Sequence, residues 1–129
     1  MNLALLVTAA PHQENAWQAL AFARAALDSG HQVSRVFFYG DGAAHGNLLL
    51  LPPQDETPVA RDWAALAATH GIELVICIAA ALKRGVMDPD TARREEKAVA
   101  NLAPGYTISG LGQLTEAMIE ADRLVSFPA

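Results

Sequence analysis

The feature of this sequence that most restricts its fold is the run Ile72–Ile78, which reads IELVICI. A nearly continuous apolar run of this length is typical of a parallel strand that helices cover on both faces. The preceding residues Val59–Thr69 carry apolar side chains at helical spacing, and Gly71 closes that stretch. The pattern therefore predicts a helix that leads into a central, buried strand.

The same alternation of strand and helix patterns extends along the chain. Asn2–Thr8 and Val33–Tyr39 read as strands on either side of a helix that Asn15 caps and that ends near Asp28, with Gly30 as its left-handed C-terminal residue. Such βαβ units are nearly always right-handed with parallel strands. The other predicted elements are a loop over Gly40–Pro58, a helical turn over Ala79–Lys83, a helix from the Asp88-Pro89 cap to about Ala100, a strand over Tyr106–Ile108, a helix over Gln113–Ala121 and a strand over Arg123–Phe127.

These elements predict an α/β fold, in which residues 1–129 form a single domain. The expected architecture is an open, mainly parallel sheet with helices on both faces, arranged as in flavodoxin-like proteins. Hydrophobic residues make up 52% of the chain and charged residues 18%. The apolar surplus is rich in alanine, which packs well in subunit interfaces, so we expect an oligomer.

Charge and cysteine content exclude several functions. The formal net charge is −5 and the nine Lys and Arg residues are scattered, so we expect no direct nucleic-acid binding. The opening run Met1–Ala10 is far shorter than the roughly 20 apolar residues that span a bilayer, and no basic segment precedes it. We therefore expect neither a signal peptide nor a membrane-spanning segment. The single cysteine cannot form an internal disulfide or, alone, a thiolate metal cage. A free thiol fits the reducing cytoplasm.

Cys77 is the strongest candidate for chemistry. It lies at the carboxyl end of a predicted strand, where open α/β sheets gather ligands and reactive groups. The next residues begin a helical segment, whose backbone N–H groups and dipole would favour the thiolate. Lys83 and Arg84 could add positive potential. A free cysteine also often serves as a small buried hydrophobe, and position alone does not separate the two roles.

Other polar residues offer weaker candidates. His12 and His45 follow strands at the edge where Cys77 lies, so a cysteine–histidine pair for proton transfer is conceivable. His31 follows Gly30 and His70 precedes Gly71, the glycines that end two predicted helices. Capping or a solvated side chain is the expected role of both histidines. Four acidic residues near one helix suggest a helix start and a solvated face rather than a metal site; they are Asp88, Asp90, Glu95 and Glu96.

The glycine-rich segments do not support a nucleotide site. The dinucleotide fingerprint needs G-x-G-x-x-G directly after the first strand. In Gly40–Gly46 the third glycine comes one residue late and the segment follows the second strand, while Gly110–Gly112 lacks a third glycine. Turn formation is the expected role of both.

Four blocks of the chain carry a family resemblance: VSRVFFYGD, ICIAAALKRGVMD, ISGLGQL and ADRLVSF. They closely resemble the DsrE/TusD family of small sulfurtransferases, in the same order and over nearly the whole chain. The resemblance implies a DsrE-like fold. The family's sulfur-accepting cysteine corresponds to Cys77, which implies that Cys77 is the catalytic residue and carries sulfur as a persulfide.

The resemblance also implies partners. These are two homologous subunits in a heterohexamer such as TusBCD or DsrEFH, an upstream small sulfur-carrier protein and a downstream acceptor protein. The relay would serve either 2-thiolation of the tRNA wobble uridine or cytoplasmic sulfur oxidation, and the sequence leaves both open. The chemistry resembles thiol–disulfide exchange and requires no metal or organic cofactor. The alternative is a non-catalytic subunit of the same kind of complex, in which Cys77 only packs.

Overall fold

A computed structural model describes all residues from Met1 to Ala129. Strands and helices alternate along the chain, as their apolar periodicities predict. The strands are Asn2–Val7 (β1), Gln32–Phe38 (β2), Glu73–Cys77 (β3), Tyr106–Ser109 (β4) and Arg123–Phe127 (β5). The helices are Glu14–Asp28 (α1), Val59–His70 (α2), Ile78–Lys83 (α3), Pro89–Arg94 (α4) and Gly112–Glu120 (α5), with a 3₁₀ helix at Gly40–Gly46.

The five strands form one parallel sheet in the order β4-β3-β2-β1-β5. This confirms the predicted fold class. The sheet order places β2 at the centre and β3 beside the edge strand β4. The prediction that Ile72–Ile78 is the central strand was therefore wrong, because the chain adds β4 to one edge and then returns across the sheet to add β5 at the other.

Alternating side chains divide the sheet into two faces. Phe38 on β2 packs against Trp63 of α2, with ring centroids 6.0 Å apart, on the face that α1 and α2 cover. Arg35 on the same strand points the other way, where its guanidinium donates to the Gln113 carbonyl of α5 at 2.8 Å and to Glu73 at 3.0 Å. Helices thus cover both faces, and the buried core lies on either side of β2 and β3.

Three local predictions were wrong. Asn15 does not cap α1, since Gln13 is the residue that precedes the helix and the Asn15 amide donates to the Pro128 carbonyl at 2.7 Å. The segment Gly40–Pro58 is not all loop, because its first seven residues form the 3₁₀ helix. The helix after Asp88 ends at Arg94, since Glu96 adopts the left-handed backbone conformation with φ of 55°.

Two helix-end predictions are confirmed. Gly30 follows α1 with φ of 87°, a conformation that favours glycine. The Asp88 carboxylate accepts from the Thr91 amide at 2.8 Å and Pro89 occupies the first helical position. Hydrogen bonds from Thr91, first through its side chain and then through its backbone, lower the pKa of Asp88. None of the helices has the length and apolar character that crossing a bilayer requires.

Candidate functional site

Cys77 is the last residue of β3 and the residue that immediately precedes α3. Its backbone is still extended, with φ of −61° and ψ of 126°, so the chain changes from strand to helix at this residue. The residue is buried, with 1% of its surface exposed. A reagent or protein partner therefore reaches the thiol only after a local opening or a rearrangement on binding.

All strand pairs are parallel, so the end of β3 lies among the carboxyl ends of the strands, on the side of the sheet where α/β proteins bind ligands. From β1 to β4 each strand is added on the same side of its predecessor, whereas the connection after β4 returns across the sheet to β5. The topological switch point of the sheet therefore lies between β1 and β5, away from the carboxyl ends of β3 and β4. Cys77 and its register partner Ser109 occupy these two strand ends.

The basic residues Lys83 and Arg84 lie at the opposite end of α3 from Cys77. This helix ends at Lys83, and its six residues separate the two ends by about 9 Å. Arg84 donates to the Asp41 carboxylate at 2.9 Å and to the Ala80 carbonyl at 3.1 Å. Its charge is thus paired with Asp41, and it fixes the end of α3 to the 3₁₀ helix. Lys83 is exposed.

No histidine makes a hydrogen bond to Cys77. His45 is fully buried, and its ring stacks on Phe38 with centroids 4.7 Å apart. Its Nδ1 lies 2.8 Å from the Gly42 carbonyl, to which a protonated Nδ1 donates, while Nε2 has no partner. Burial lowers the pKa of His45 to about 4, partly opposed by that hydrogen bond. His12 is exposed, and neither ring makes a hydrogen bond to Cys77.

The other two histidines lie at the amino ends of the strands, on the side of the sheet opposite to Cys77. The Nδ1 atom of His31 lies 2.9 Å from the terminal amine of Met1. His70 is the exposed last residue of α2. The acidic residues Glu95 and Glu96 are exposed, as predicted. None of these side chains is drawn into a shared site with Cys77.

A cavity of about 530 Å³ opens at the carboxyl end of the sheet, where Cys77 also lies, between the starts of α1 and α2. This volume suits a small molecule or a short peptide segment. Cys77 does not contribute to its wall. The lining includes the Asp41–Arg84 ion pair and His12, and otherwise the residues Ala10, Pro11, Gln13, Trp17, Ala44, Asn47, Leu50, Leu51, Pro52, Pro53, Glu56, Thr57, Pro58, Val59 and Ala60.

The leucine run Leu48–Leu51 borders this cavity and lies on the surface. The exposed fractions of its four residues are 57%, 68%, 48% and 91% in chain order. The buried side chain of Asn101 holds the start of the run, since its amide donates to Asn47 at 3.0 Å and to the Gly85 carbonyl at 2.9 Å. The Leu48 amide also donates to the Asn101 carbonyl at 2.8 Å. A backbone held in this way presents an apolar surface in a fixed position.

Sequence reasoning missed three features of this edge. Asn101 was not recognised as an anchor, and Ser109 was not recognised as the neighbour of Cys77. The burial of His45 was also missed, although its small neighbours Gly42, Ala43, Ala44 and Gly46 are a signal for close packing. A Cβ atom on Gly42 would lie 2.1 Å from the Val7 carbonyl oxygen, so only glycine fits there.

The comparisons with known proteins agree with this architecture. A family model described as the DsrE/DsrF-like family matches residues 1–127. This chain belongs to that family. The DsrE protein of Allochromatium vinosum is 46% identical over 128 residues, which cover 98% of both chains. The protein of Salmonella typhi named sulfurtransferase TusD is also 46% identical over 128 residues, covering 98% of this chain and all of the relative.

A solved structure shows the same fold at lower identity. The ychN protein from E. coli superposes with a TM-score of 0.68, over 98% of this chain and 100% of its own, at 18% identity. This likeness shows that the chain adopts the same fold as the ychN protein. The relatives match nearly end to end, so the family assignment covers the strand–helix junction at Cys77 as well as the sheet.

Proposed function

We propose that this chain is a sulfurtransferase subunit that accepts sulfur as a persulfide on Cys77 and relays it to a protein acceptor. The observation that carries the proposal is the place of Cys77, the only cysteine, at the β3–α3 junction on the carboxyl side of the parallel sheet. A relative that is 46% identical over nearly its full length bears the name sulfurtransferase. The proposed catalytic residue is Cys77 alone, with no metal or cofactor.

The proposed transfer has two steps of the thiol–disulfide exchange type. The Cys77 thiolate attacks the outer sulfur of a donor persulfide, and the donor leaves as a thiolate. An acceptor thiolate then attacks the outer sulfur that Cys77 holds, which restores the Cys77 thiolate. The first amides of a helix have no intrahelical partner, so the start of α3 supplies donors near the strand end where negative sulfur develops.

The proposed partners are an upstream small sulfur-carrier protein, a downstream acceptor and two homologous subunits of a heterohexamer. Both apolar and polar surface is available for these partners at the carboxyl end of the sheet, where Cys77 lies. The run Leu48–Leu51 offers an exposed apolar surface that is unusual for a monomer, and the adjoining cavity can accept a protruding segment. Engagement of this edge by a partner would also provide the rearrangement that the buried thiol needs.

The physiological branch stays open between tRNA wobble-uridine 2-thiolation and cytoplasmic sulfur oxidation. The DsrE and TusD relatives share the same 46% identity with the chain over 128 residues. A tRNA branch would reach its substrate through acceptor proteins rather than by direct contact, because the net charge of −5 disfavours phosphate binding.

The second candidate is a non-catalytic subunit of the same kind of complex, and the burial of Cys77 favours it. In that case the thiol only fills space beside β3 and α3. The two candidates differ in what happens to the mass of the protein after exposure to a persulfide donor. A carrier gains one sulfur atom, whereas a packing cysteine gains none.

The test is intact-mass measurement after incubation with a low-molecular-weight persulfide and removal of the excess donor. We expect the wild-type chain to gain one sulfur that a reductant removes. Because Cys77 is the sole cysteine, the controls are the Cys77→Ala variant and wild-type protein alkylated beforehand. Sulfur gain by either control, or none by the folded wild-type chain both alone and with its co-expressed homologues, would overturn the proposal.

A further inference from the structure

The side chain beside Cys77 on the neighbouring strand belongs to Ser109. The two residues are register partners in the parallel pair β3–β4. Register partners project from the same face of a sheet, and adjacent strands lie about 4.8 Å apart. The pair Arg35–Glu73 shows the consequence on this sheet, since these register partners of β2 and β3 bond to each other at 3.0 Å. Ser109 is thus a direct neighbour of the Cys77 side chain.

The hydroxyl of Ser109 has no hydrogen-bond partner within the protein. Thr107, two residues earlier on β4, uses its hydroxyl to donate to the Leu74 carbonyl at 3.4 Å. The half-buried Ser109 makes no hydrogen bond through its side chain, and it makes none to the Cys77 sulfur. A hydroxyl with no protein partner therefore stands next to the proposed sulfur-carrying residue, at the carboxyl ends of two neighbouring parallel strands.

Resting on the proposed function, we propose that the Ser109 hydroxyl donates a hydrogen bond to the outer sulfur of a Cys77 persulfide. The outer sulfur extends one S–S bond, about 2.05 Å, beyond the thiol sulfur. It thereby spans part of the gap that separates the resting thiol from the hydroxyl. Ser109 contacts the transferred sulfur itself rather than acting through another residue.

The bonds that form and break while sulfur is loaded onto Cys77 determine the role of the Ser109 hydroxyl. The Cys77 thiolate forms a bond to the outer sulfur of the donor R–S–SH, and the donor S–S bond breaks with its electron pair on the donor sulfur. The donor leaves as a thiolate, and the transferred sulfur loses its proton to water. Because the same sulfur atom moves between two equivalent S–S bonds, no oxidant or reductant enters. Ser109 then stabilises the resulting negative sulfur by a charge-assisted hydrogen bond.

The test is the pH profile of iodoacetamide alkylation of the loaded protein, freed of donor. Removing a charge-assisted hydrogen bond worth about tenfold shifts the midpoint upward by about one pH unit, and we expect this for Ser109→Ala. Ser109→Thr keeps a hydroxyl and retains the wild-type midpoint. Thr107→Ala is the matched control and leaves the profile unchanged. The unloaded thiol of Ser109→Ala keeps the wild-type profile, because the contact forms only with the outer sulfur.

The outcomes separate this inference from the proposed function. If the wild-type chain loads sulfur while loaded Ser109→Ala titrates as wild type does, the role of Ser109 is refuted and the relay stands. If the wild-type chain takes up no sulfur, both fall. Should the alanine variant fail to fold, Ser109→Val compared with Ser109→Thr makes the same comparison, since these side chains have similar shapes and differ in the hydroxyl.

Discussion

Acidification should destabilise this fold through His45. Burial lowers the pKa of His45 to about 4 in the folded chain, whereas the ordinary value of 6.5 holds after unfolding. Below pH 6.5 the unfolded chain therefore binds a proton that the folded chain does not bind. The contribution of neutral His45 to the free energy of unfolding is fully present well above pH 6.5 and is lost as the pH falls toward 4. Linkage gives a loss of about 2 kcal/mol at pH 5 and about 3 kcal/mol at pH 4.

The assay is urea unfolding at pH 7.5 and pH 5.0 for the wild type and His45→Asn. The asparagine amide can replace the bond from Nδ1 to the Gly42 carbonyl but does not titrate. We expect the wild type to lose about 2 kcal/mol more than His45→Asn between the two pH values. His12→Asn, which changes an exposed histidine, should retain the wild-type pH dependence. Equal losses for the wild type and His45→Asn would refute the reasoning.

Three further outcomes follow from the same edge of the sheet. Asn101→Ala removes the side-chain bonds to Asn47, Gly85 and Met87 and should lower the free energy of unfolding by about 2–3 kcal/mol in urea titrations, whereas a loss below about 0.5 kcal/mol would contradict the anchor role. Gly42→Ala places a Cβ atom 2.1 Å from the Val7 carbonyl oxygen and should yield little folded protein by circular dichroism; a stable, native variant would contradict this close approach. The isolated wild-type chain should self-associate in light scattering and should co-purify with homologous subunits, while Leu49→Glu together with Leu51→Glu should weaken both associations; unchanged association would exclude the leucine run as an interface.

The sequence was sufficient for the strand and helix pattern because apolar periodicity is a local property. The strand at Arg123–Phe127 has its predicted bounds, and α2 ends one residue beyond the prediction. The order of strands was less accessible. Both β2 and β3 are apolar runs, and which of them is central depends on where β4 and β5 join the sheet rather than on their own residues.

The candidate site was predictable in position but not in environment. The carboxyl end of a strand before a helical segment located Cys77 correctly. The environment was not accessible: His45, whose pairing with Cys77 was only conceivable, stacks from the 3₁₀ helix on Phe38, and Arg84 pairs with Asp41. Asp41 lies more than 30 residues before Cys77, so local sequence patterns carry no signal for its pairing with Arg84. For the burial of His45, the small residues around it were the one available signal.

The central claim is that sulfur held on Cys77 is an intermediate in transfer, and a single-turnover chase tests it most directly. The chain is loaded with isotopically labelled sulfur, freed of donor and mixed with an acceptor thiol, and the label is followed by mass spectrometry. We expect label to leave the Cys77 peptide and appear on the acceptor in equal amounts, with none transferred after Cys77→Ala. Label that stays on Cys77, or equal transfer by Cys77→Ala, would contradict the claim.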